Sequence, residues 1–496
     1  MKDGADGYRT DIGYTYSYHG ELNPLRLRLA FLNAGLKAPA VTAACELGFG
    51  QGVSLGIHAA ASAVHWHGTD INPVHAGFAR ALAAASGAGA GIHSDSFVDF
   101  STRDLPMFDY IGLHGVWSWI SDGNRAEIVA FVRRRLKPGG VLYMGYNALP
   151  GWAAFSPLRH LLVEHANRAA SEGTPIAGRI DEAMEFADRL LAANPGFARD
   201  NPGIADSFKD LNEEDRGYLA HEFFNRDWQP MHFATVARWL APADLSYACS
   251  ADFADHIDAM GLSAAQRGLL ADIGDAGLRE TVRDLIVNQR FRRDYWTRGA
   301  ERLSADDRAQ ALRTERVVAV TRPLELPLKL RAALTLSQAG PGDAVVGSIL
   351  DVLGDGKVRS LGQLEQALRP NGISLEQVAE AVILIASCGL IQAAQDDAVT
   401  AVVRPRTDRL NAHLIERARG SDGVHDLASP VTGGGIPVGR REQLFLSEAR
   451  RGRTQPEDWA RAAAKSLGLE PTAELIAEAK TFAEQTLPTL RSLQIV

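Results

Sequence analysis

Glu46-Leu47-Gly48-Phe49-Gly50-Gln51-Gly52 lies where an apolar run, Val41–Leu47, gives way to a helical stretch of small residues, Gln51–Ser62. Three glycines at alternate positions clear side chains from a turn, so that another molecule can approach the backbone closely. The helix that follows points free N–H groups and the positive end of its dipole at that space, which suits a carboxylate or a phosphate. A dinucleotide turn has the form G-x-G-x-x-G, and the place of its third glycine holds Val53 here. The turn is instead G-x-G-x-G, opened by an acid. Alone, such a turn also serves as a plain strand–helix connection, so its reading rests on its flanks.

Outward from the turn, strand-like and helical segments alternate. Val64–Thr69 reads as a strand, and Asn72–Ala85 as a helix that opens with Asn-Pro, a side-chain cap followed by proline in the first turn. Phe108–His114 is a strand, Asn124–Leu136 a helix and Val141–Tyr146 a strand. This β-α-β-α rhythm predicts a parallel sheet with helices on both faces, a Rossmann-like α/β fold. Upstream, Leu22, Leu25, Leu27, Leu29, Leu32 and Leu36 mark a helix behind a tyrosine-rich leader.

The acids fall at informative places. Asp70 ends the second strand, 24 residues after Glu46, where a carboxylate accepts both hydroxyls of a ribose. An acid at a strand end also serves as a helix cap. Asp95 ends a weaker third strand, placed to accept an adenine amine with Ser96 and Phe97 at the ring edge. Asp109 opens the fourth strand, and Leu136-Lys137-Pro138-Gly139-Gly140 is the turn before the fifth. Together with the acid-led G-x-G-x-G turn, this order predicts an S-adenosylmethionine site built from Glu46, Gly48, Gly50, Gly52, Asp70, Ile71, Asp95, Ser96 and Phe97. His114 and Gly115 stand where the methionine part would lie.

Composition sets the class. The 496 residues exceed one core, and 46% hydrophobic with 23% charged residues is ordinary for a globular protein. A net charge of −8 argues against a general nucleic-acid binder. Cys45, Cys249 and Cys388 are far apart, with neither metal-ligand spacing nor a disulfide framework, so no metal is expected. No apolar run reaches the length of a membrane span, and Met1–Gly20 has no signal-peptide core, so a cytoplasmic protein is expected.

Beyond Pro150-Gly151 the pattern turns helical, with stretches at Pro157–Glu172, Arg179–Ala193 and Asp275–Arg298 and two strand-like pieces, Leu245–Cys249 and Arg316–Thr321. Helices at Val345–Leu353, Leu361–Leu368 and Leu375–Cys388, closed by Leu390-Ile391, have the order of a winged-helix-like module. The Leu361–Leu368 helix carries Glu365 and no cation before Arg369, a poor reader of a DNA groove. A loop-rich link (Pro405, Ser421-Asp422-Gly423, Thr432–Gly435) leads to helices at Gln455–Leu467 and Thr472–Gln485. The expected division is 1–155 core, 156–330 helical region, 331–400 winged module and 401–496 link and helical terminus.

His114-Gly115-Val116-Trp117-Ser118-Trp119-Ile120 and Gly145-Tyr146-Asn147-Ala148-Leu149-Pro150-Gly151-Trp152 closely resemble motifs of bacterial proteins with a methyltransferase regulatory domain. That family includes protein lysine methyltransferases acting on outer-membrane surface protein. The resemblance continues through Ala220-His221-Glu222-Phe223-Phe224-Asn225, Met231-His232-Phe233, Leu245-Ser246-Tyr247 and Asn288-Gln289-Arg290-Phe291-Arg292-Arg293, covering roughly residues 14 to 300. It implies a seven-stranded sheet, with Leu245–Cys249 and Arg316–Thr321 supplying the last two strands. It implies a protein substrate, with a small-molecule acceptor or a cofactor-binding protein without turnover as alternatives. Aromatic lid residues are expected from the leader, Tyr16 and Tyr18 among them. Trp117, Trp119, Tyr146 and Trp152 are expected to wall an acceptor channel with Asn147 at its base. A largely apolar channel lowers the pKa of an acceptor amine. His221 and His232, near Glu222, read as capping or interdomain contacts.

Overall fold

The computed structural model describes residues 13–168, 174–321, 330 and 342–496. Its centre is a seven-stranded sheet in the order β3-β2-β1-β4-β5-β7-β6. The strands are β1 (Ala43–Leu47), β2 (His65–Thr69), β3 (Gly91–His93), β4 (Phe108–His114), β5 (Leu136–Asn147), β6 (Ser246–Ser250) and β7 (Phe291–Thr297). The first five run parallel, and β7 lies antiparallel between β5 and β6. Between β1 and β4 the strand order reverses direction, so the loops leaving their C-terminal ends diverge and open a crevice there.

Local chemistry sets these elements. The helix Pro73–Ser86 starts where the Asn72 side chain accepts the Val74 N–H, and it stops at Gly87, whose φ is 69°. Asp109 binds the Thr42 N–H, the Thr42 hydroxyl, the Ala43 N–H and Lys137 Nζ at 2.7–3.0 Å, tying the starts of β1, β4 and β5 together. The helix Val53–Ala61 is buried along its whole length, because the C-terminal part of the chain covers the side turned away from the sheet. Gln395 there bonds the Ala61 carbonyl, and Arg409 bonds that of Ser86.

The strand expected at Leu245–Cys249 joins the sheet as β6, whereas the one expected at Arg316–Thr321 does not. Residues Arg316–Ala319 form β8 of a separate sheet, between β9 (Arg359–Ser360) and β10 (Ile391–Ala393). The seventh strand of the large sheet is β7, inside the stretch read as helix to Arg298. That helix ends at Val287, and Asn288 takes a left-handed conformation that turns the chain. Charge hides the strand: Arg292 and Asp294 look solvent-facing in sequence but are 5% and 1% exposed. Arg292 binds Asp294, Asp284 and Glu280 at 2.5–3.1 Å, and its guanidinium lies over Phe233. A paired ion set takes the place of the apolar face that would have announced a strand.

Between β5 and β6 the helices Ser156–Arg168, Ile176–Ala192, Ile204–Asn212 and Arg216–Glu222 enclose a small core of their own, with Leu162, Ile180, Phe208 and Leu219 at its centre. The helix expected to reach Glu172 is described to Arg168, residues 169–172 lying outside the described residues, as do 322–329 and 331–341 around the boundary expected at 330/331. Pro405, expected in a link, sits inside the helix Asp397–Arg417. A proline inside a helix costs about 3 kcal/mol. Here burial of Val403, Thr407, Leu410 and Leu414 on one face holds the helix through it. A hairpin of β11 (Asp426–Ser429) and β12 (Gly434–Pro437) follows. Among the described residues no helix is long and apolar enough to cross a membrane.

Candidate active site

A cavity of about 550 Å³ opens at the C-terminal ends of β1, β2, β4 and β5. Its wall contains Glu46, Gly48, Gly50, Asp70, Ile71, Asp95, Ser96, Phe97, His114 and Gly115 at one end. Trp119, Asn147 and Trp152 line the other. The sequence therefore brings together residues spread over about a hundred positions, through the crossover at β1 and β4.

The glycine turn is built for close approach. Gly50 has φ 56°, and a Cβ there would stand 3.4 Å from the Tyr14 ring. Gly52 serves the fold instead: its Cβ would meet Ala79 at 2.5 Å, so the glycine lets helix Pro73–Ser86 pack, and the residue is not part of the cavity wall. Asp70 accepts the Gly50 N–H at 2.8 Å and the Asn72 N–H at 2.9 Å, holding its carboxylate at the rim. Asp95 is gripped by Arg103 through two bonds of 2.9 Å. Glu46 is 3% exposed, and its Oε2 has no hydrogen-bond partner among the described residues. Burial, and then the neighbouring Asp70, push its carboxyl up to about 8. A ligand with a donor, above all an ammonium, would satisfy that oxygen.

Four other expectations need correcting. In the leader Tyr14, Thr15, Ser17 and His19 line the cavity, whereas Tyr16 and Tyr18 do not. Tyr16 packs on Phe78 and under Arg417, and Tyr18 hydrogen-bonds His58 at 3.0 Å and lies against Gly435. Tyr146 is fully buried on the far face of β5, donating to Asp294 at 2.8 Å. Consecutive strand residues point to opposite faces, so Tyr146 and Asn147 cannot share one channel. Trp117 is also fully buried, packed edge-on against Trp239, and it supports the loop rather than lining the channel.

The sequence reading missed the far wall. Tyr218, His221, Glu222, Phe223 and Asn225 reach the cavity from the inserted helices, and Phe291 and Arg293 from β7. Recognition of β7 would have found the last two, since Phe291 and Arg293 share a face opposite to Arg292 and Asp294. Trp119 Nε1 donates to the Glu222 carbonyl at 2.9 Å, and the Tyr14 hydroxyl donates to the Glu222 carboxylate at 2.6 Å. Burial raises the Glu222 carboxyl to about 7 against that one opposing hydrogen bond. His114 stacks on His19 at 3.9 Å and bonds the Tyr143 hydroxyl at 2.7 Å. Burial, with His19 and Arg293 nearby, drives His114 well below the usual histidine range, which keeps the imidazole neutral. Among the described residues no group of three or more His, Cys, Asp or Glu is arranged to hold a metal.

A 3-2-1-4-5-7-6 sheet with an antiparallel seventh strand and an acid-led glycine turn after β1 is the fold of the class I methyltransferases. Residues 215–298 match the model of the family described as a predicted methyltransferase regulatory domain. An uncharacterized protein of Synechocystis is 36% identical over 458 residues, covering 91% of this chain and 89% of that one. An uncharacterized protein of Rickettsia prowazekii is 27% identical over 297 residues, 57% of this chain and 51% of that one. The structure of PKMT2 from Rickettsia typhi in complex with AdoHcy shares the fold with a TM-score of 0.69 at 18% identity, covering 97% of this chain and 99% of that chain. The chain belongs to the bacterial methyltransferases that carry a methyltransferase regulatory domain.

Proposed function

We propose that the protein transfers the methyl group of S-adenosylmethionine to the side-chain amine of a lysine in a protein substrate. One observation carries this: a single cavity runs from the glycine turn, Asp70 and Asp95 to an aromatic, carboxylate-bearing wall of Trp119, Trp152, Tyr218 and Glu222. In this reading Asp70 accepts from the ribose hydroxyls, Ser96 and Phe97 flank the adenine, and the unpartnered Glu46 oxygen takes the ammonium of the methionine part. Bound there, the sulfonium supplies a methyl group open to in-line displacement, so alignment and exclusion of water provide most of the acceleration. Trp119 and Asn147 align the acceptor, and the aromatic faces stabilise a cationic amine. Residues 156–330 and the unit at 331–400 hold the surrounding polypeptide, and 401–496 braces the core at 1–155. PKMT2, resolved with AdoHcy, supports the cofactor, and the motif resemblance described above supports lysine.

The test is incubation of the full-length protein with isotopically labelled S-adenosylmethionine and a bacterial lysate, followed by mass spectrometry. Label on lysine side chains of proteins is expected. Label confined to small metabolites would replace the protein-lysine reading with a small-molecule one. No label and no cofactor binding would remove both.

A further inference from the structure

Glu222 is the least expected member of the cavity wall. It ends the helix Arg216–Glu222, in the inserted region, far in sequence from the glycine turn. Two contacts fix it on opposite sides. Its backbone carbonyl accepts from Trp119 Nε1, which ties it to the loop after β4. Its carboxylate accepts from the Tyr14 hydroxyl, which ties it to the leader. The same Tyr14 ring lies against Gly50, and its backbone carbonyl accepts from Gln51 Nε2 at 3.0 Å. The Glu222 carboxylate therefore stands one tyrosine side chain away from the glycine turn, on the aromatic side of the cavity.

We propose that Glu222 is the seat for the acceptor's ammonium group and the base that takes its proton. This deepens the lysine reading above and rests on it for the identity of the acceptor, though not for the charge of the group that binds. A carboxylate walled by Trp119, Trp152 and Tyr218 is poorly solvated, so a cation that enters gains both the carboxylate and the aromatic faces. A primary ammonium cannot attack a methyl group. It first gives one proton to Glu222: an N–H bond breaks, an O–H bond forms, and the carboxylate becomes a neutral acid. The freed lone pair then forms the N–C bond while the sulfur keeps the electrons of the S–C bond, and the positive charge passes from sulfur to the methylated nitrogen. The proton on Glu222 leaves to solvent with the product. Burial has already brought the Glu222 carboxyl up to about 7, nearer to an amine than an exposed glutamate is, which favours that transfer. Tyr14 acts through Glu222 as a positioning residue.

Tyr14 from the leader bonds the Glu222 carboxylate and Trp119 from the loop after β4 its carbonyl, and Tyr218 and His221 of its own helix line the same cavity with Arg293, Glu46, His19 and His114. Any pH profile belongs to this set, so the test does not rest on pH alone. Calorimetry on the protein saturated with AdoHcy would measure n-butylammonium binding at pH 8, with 1-pentanol as the neutral probe. Glu222→Gln is expected to weaken butylammonium at least tenfold while leaving 1-pentanol and AdoHcy unchanged. Tyr14→Phe removes only the hydroxyl that favours the charged carboxylate, so the acidic limb of the kcat profile should move to higher pH, with AdoHcy binding as the check on folding. Equal butylammonium affinity in wild type and Glu222→Gln overturns the proposal. So does a loss of AdoHcy affinity in Glu222→Gln, which would give the carboxylate to the cofactor instead. If no protein lysine is labelled but butylammonium binding depends on Glu222, the seat stands and the protein-lysine reading falls. If lysine is labelled equally by wild type and Glu222→Gln, the reading stands and the seat falls.

Discussion

The two ends of the cavity are made differently. The end at the glycine turn comes from residues close in sequence, Glu46 to Phe97, and its demands are on the backbone: positive φ at Gly48 and Gly50, and a turn free of side chains. The opposite end is assembled from side chains of separate segments, Trp119, Asn147, Trp152, Tyr218 and Glu222, and Tyr14 bridges it to the glycine turn. Backbone demands restrict residue type sharply and recur at fixed spacing. Side-chain convergence needs only that each segment arrive, and it leaves no local pattern. A binding turn is therefore written in one place, whereas a specificity wall is written in the tertiary structure.

Substitutions at the two ends should fail differently, and the largest effect belongs to the glycine turn. Gly50→Val puts a branched side chain at φ 56° and against the Tyr14 ring, and should abolish S-adenosylmethionine binding in calorimetry while circular dichroism stays native. Unchanged affinity would show that the turn does not contact the cofactor. Next is the brace beneath the far wall. Arg292→Ala strands the buried Asp284 and Asp294 carboxylates and should cost about 3–5 kcal/mol of stability in chemical denaturation. A loss near zero would mean that the ion set is relaxed by water. Asp70→Ala should weaken cofactor binding by ~1.5–3 kcal/mol, the range for hydrogen bonds to a charged group, with kcat at saturation little changed. The smallest effect sharpens the contrast most. Trp119→Ala should lower kcat about tenfold, ~1.4 kcal/mol, with cofactor affinity intact. If affinity fell in parallel, Trp119 would belong to the cofactor end and the division drawn above would move.

Legibility followed the same line. Strands β1, β2, β4, β5 and β6 announced themselves as apolar runs, and the acid-led glycine turn located the cavity. The seventh strand did not, because Arg292 and Asp294 neutralise each other inside the protein and a sequence shows charges without their partners. The strand at Arg316 was seen but assigned to the wrong sheet, since an apolar run carries no information about which edge it pairs with. In the site, Tyr14 was separated from Tyr16 and Tyr18 by tertiary contacts alone, since an alternation would have put all three tyrosines on one side, and their partners Glu222, Phe78 and His58 lie far away in sequence. Tyr146 was placed in the channel because it adjoins Asn147, yet period-two geometry sends neighbours apart. Glu222 was in a motif already singled out, but nothing in its vicinity showed that the helix ends at the cavity.

The leader's two faces give the molecule a property that no single face has. Tyr14 and His19 lie along the cavity, while Tyr16 and Tyr18, between them, are clamped by Phe78, Arg417 and the hairpin around Gly434 and Gly435. A strap anchored on both sides makes ligand retention and the cohesion of the C-terminal half one shared quantity. If a bound ligand favours the seated Tyr14, it is expected to stabilise the packed hairpin, and by linkage a substitution that loosens the hairpin is expected to lower the equilibrium affinity for that ligand by the same factor.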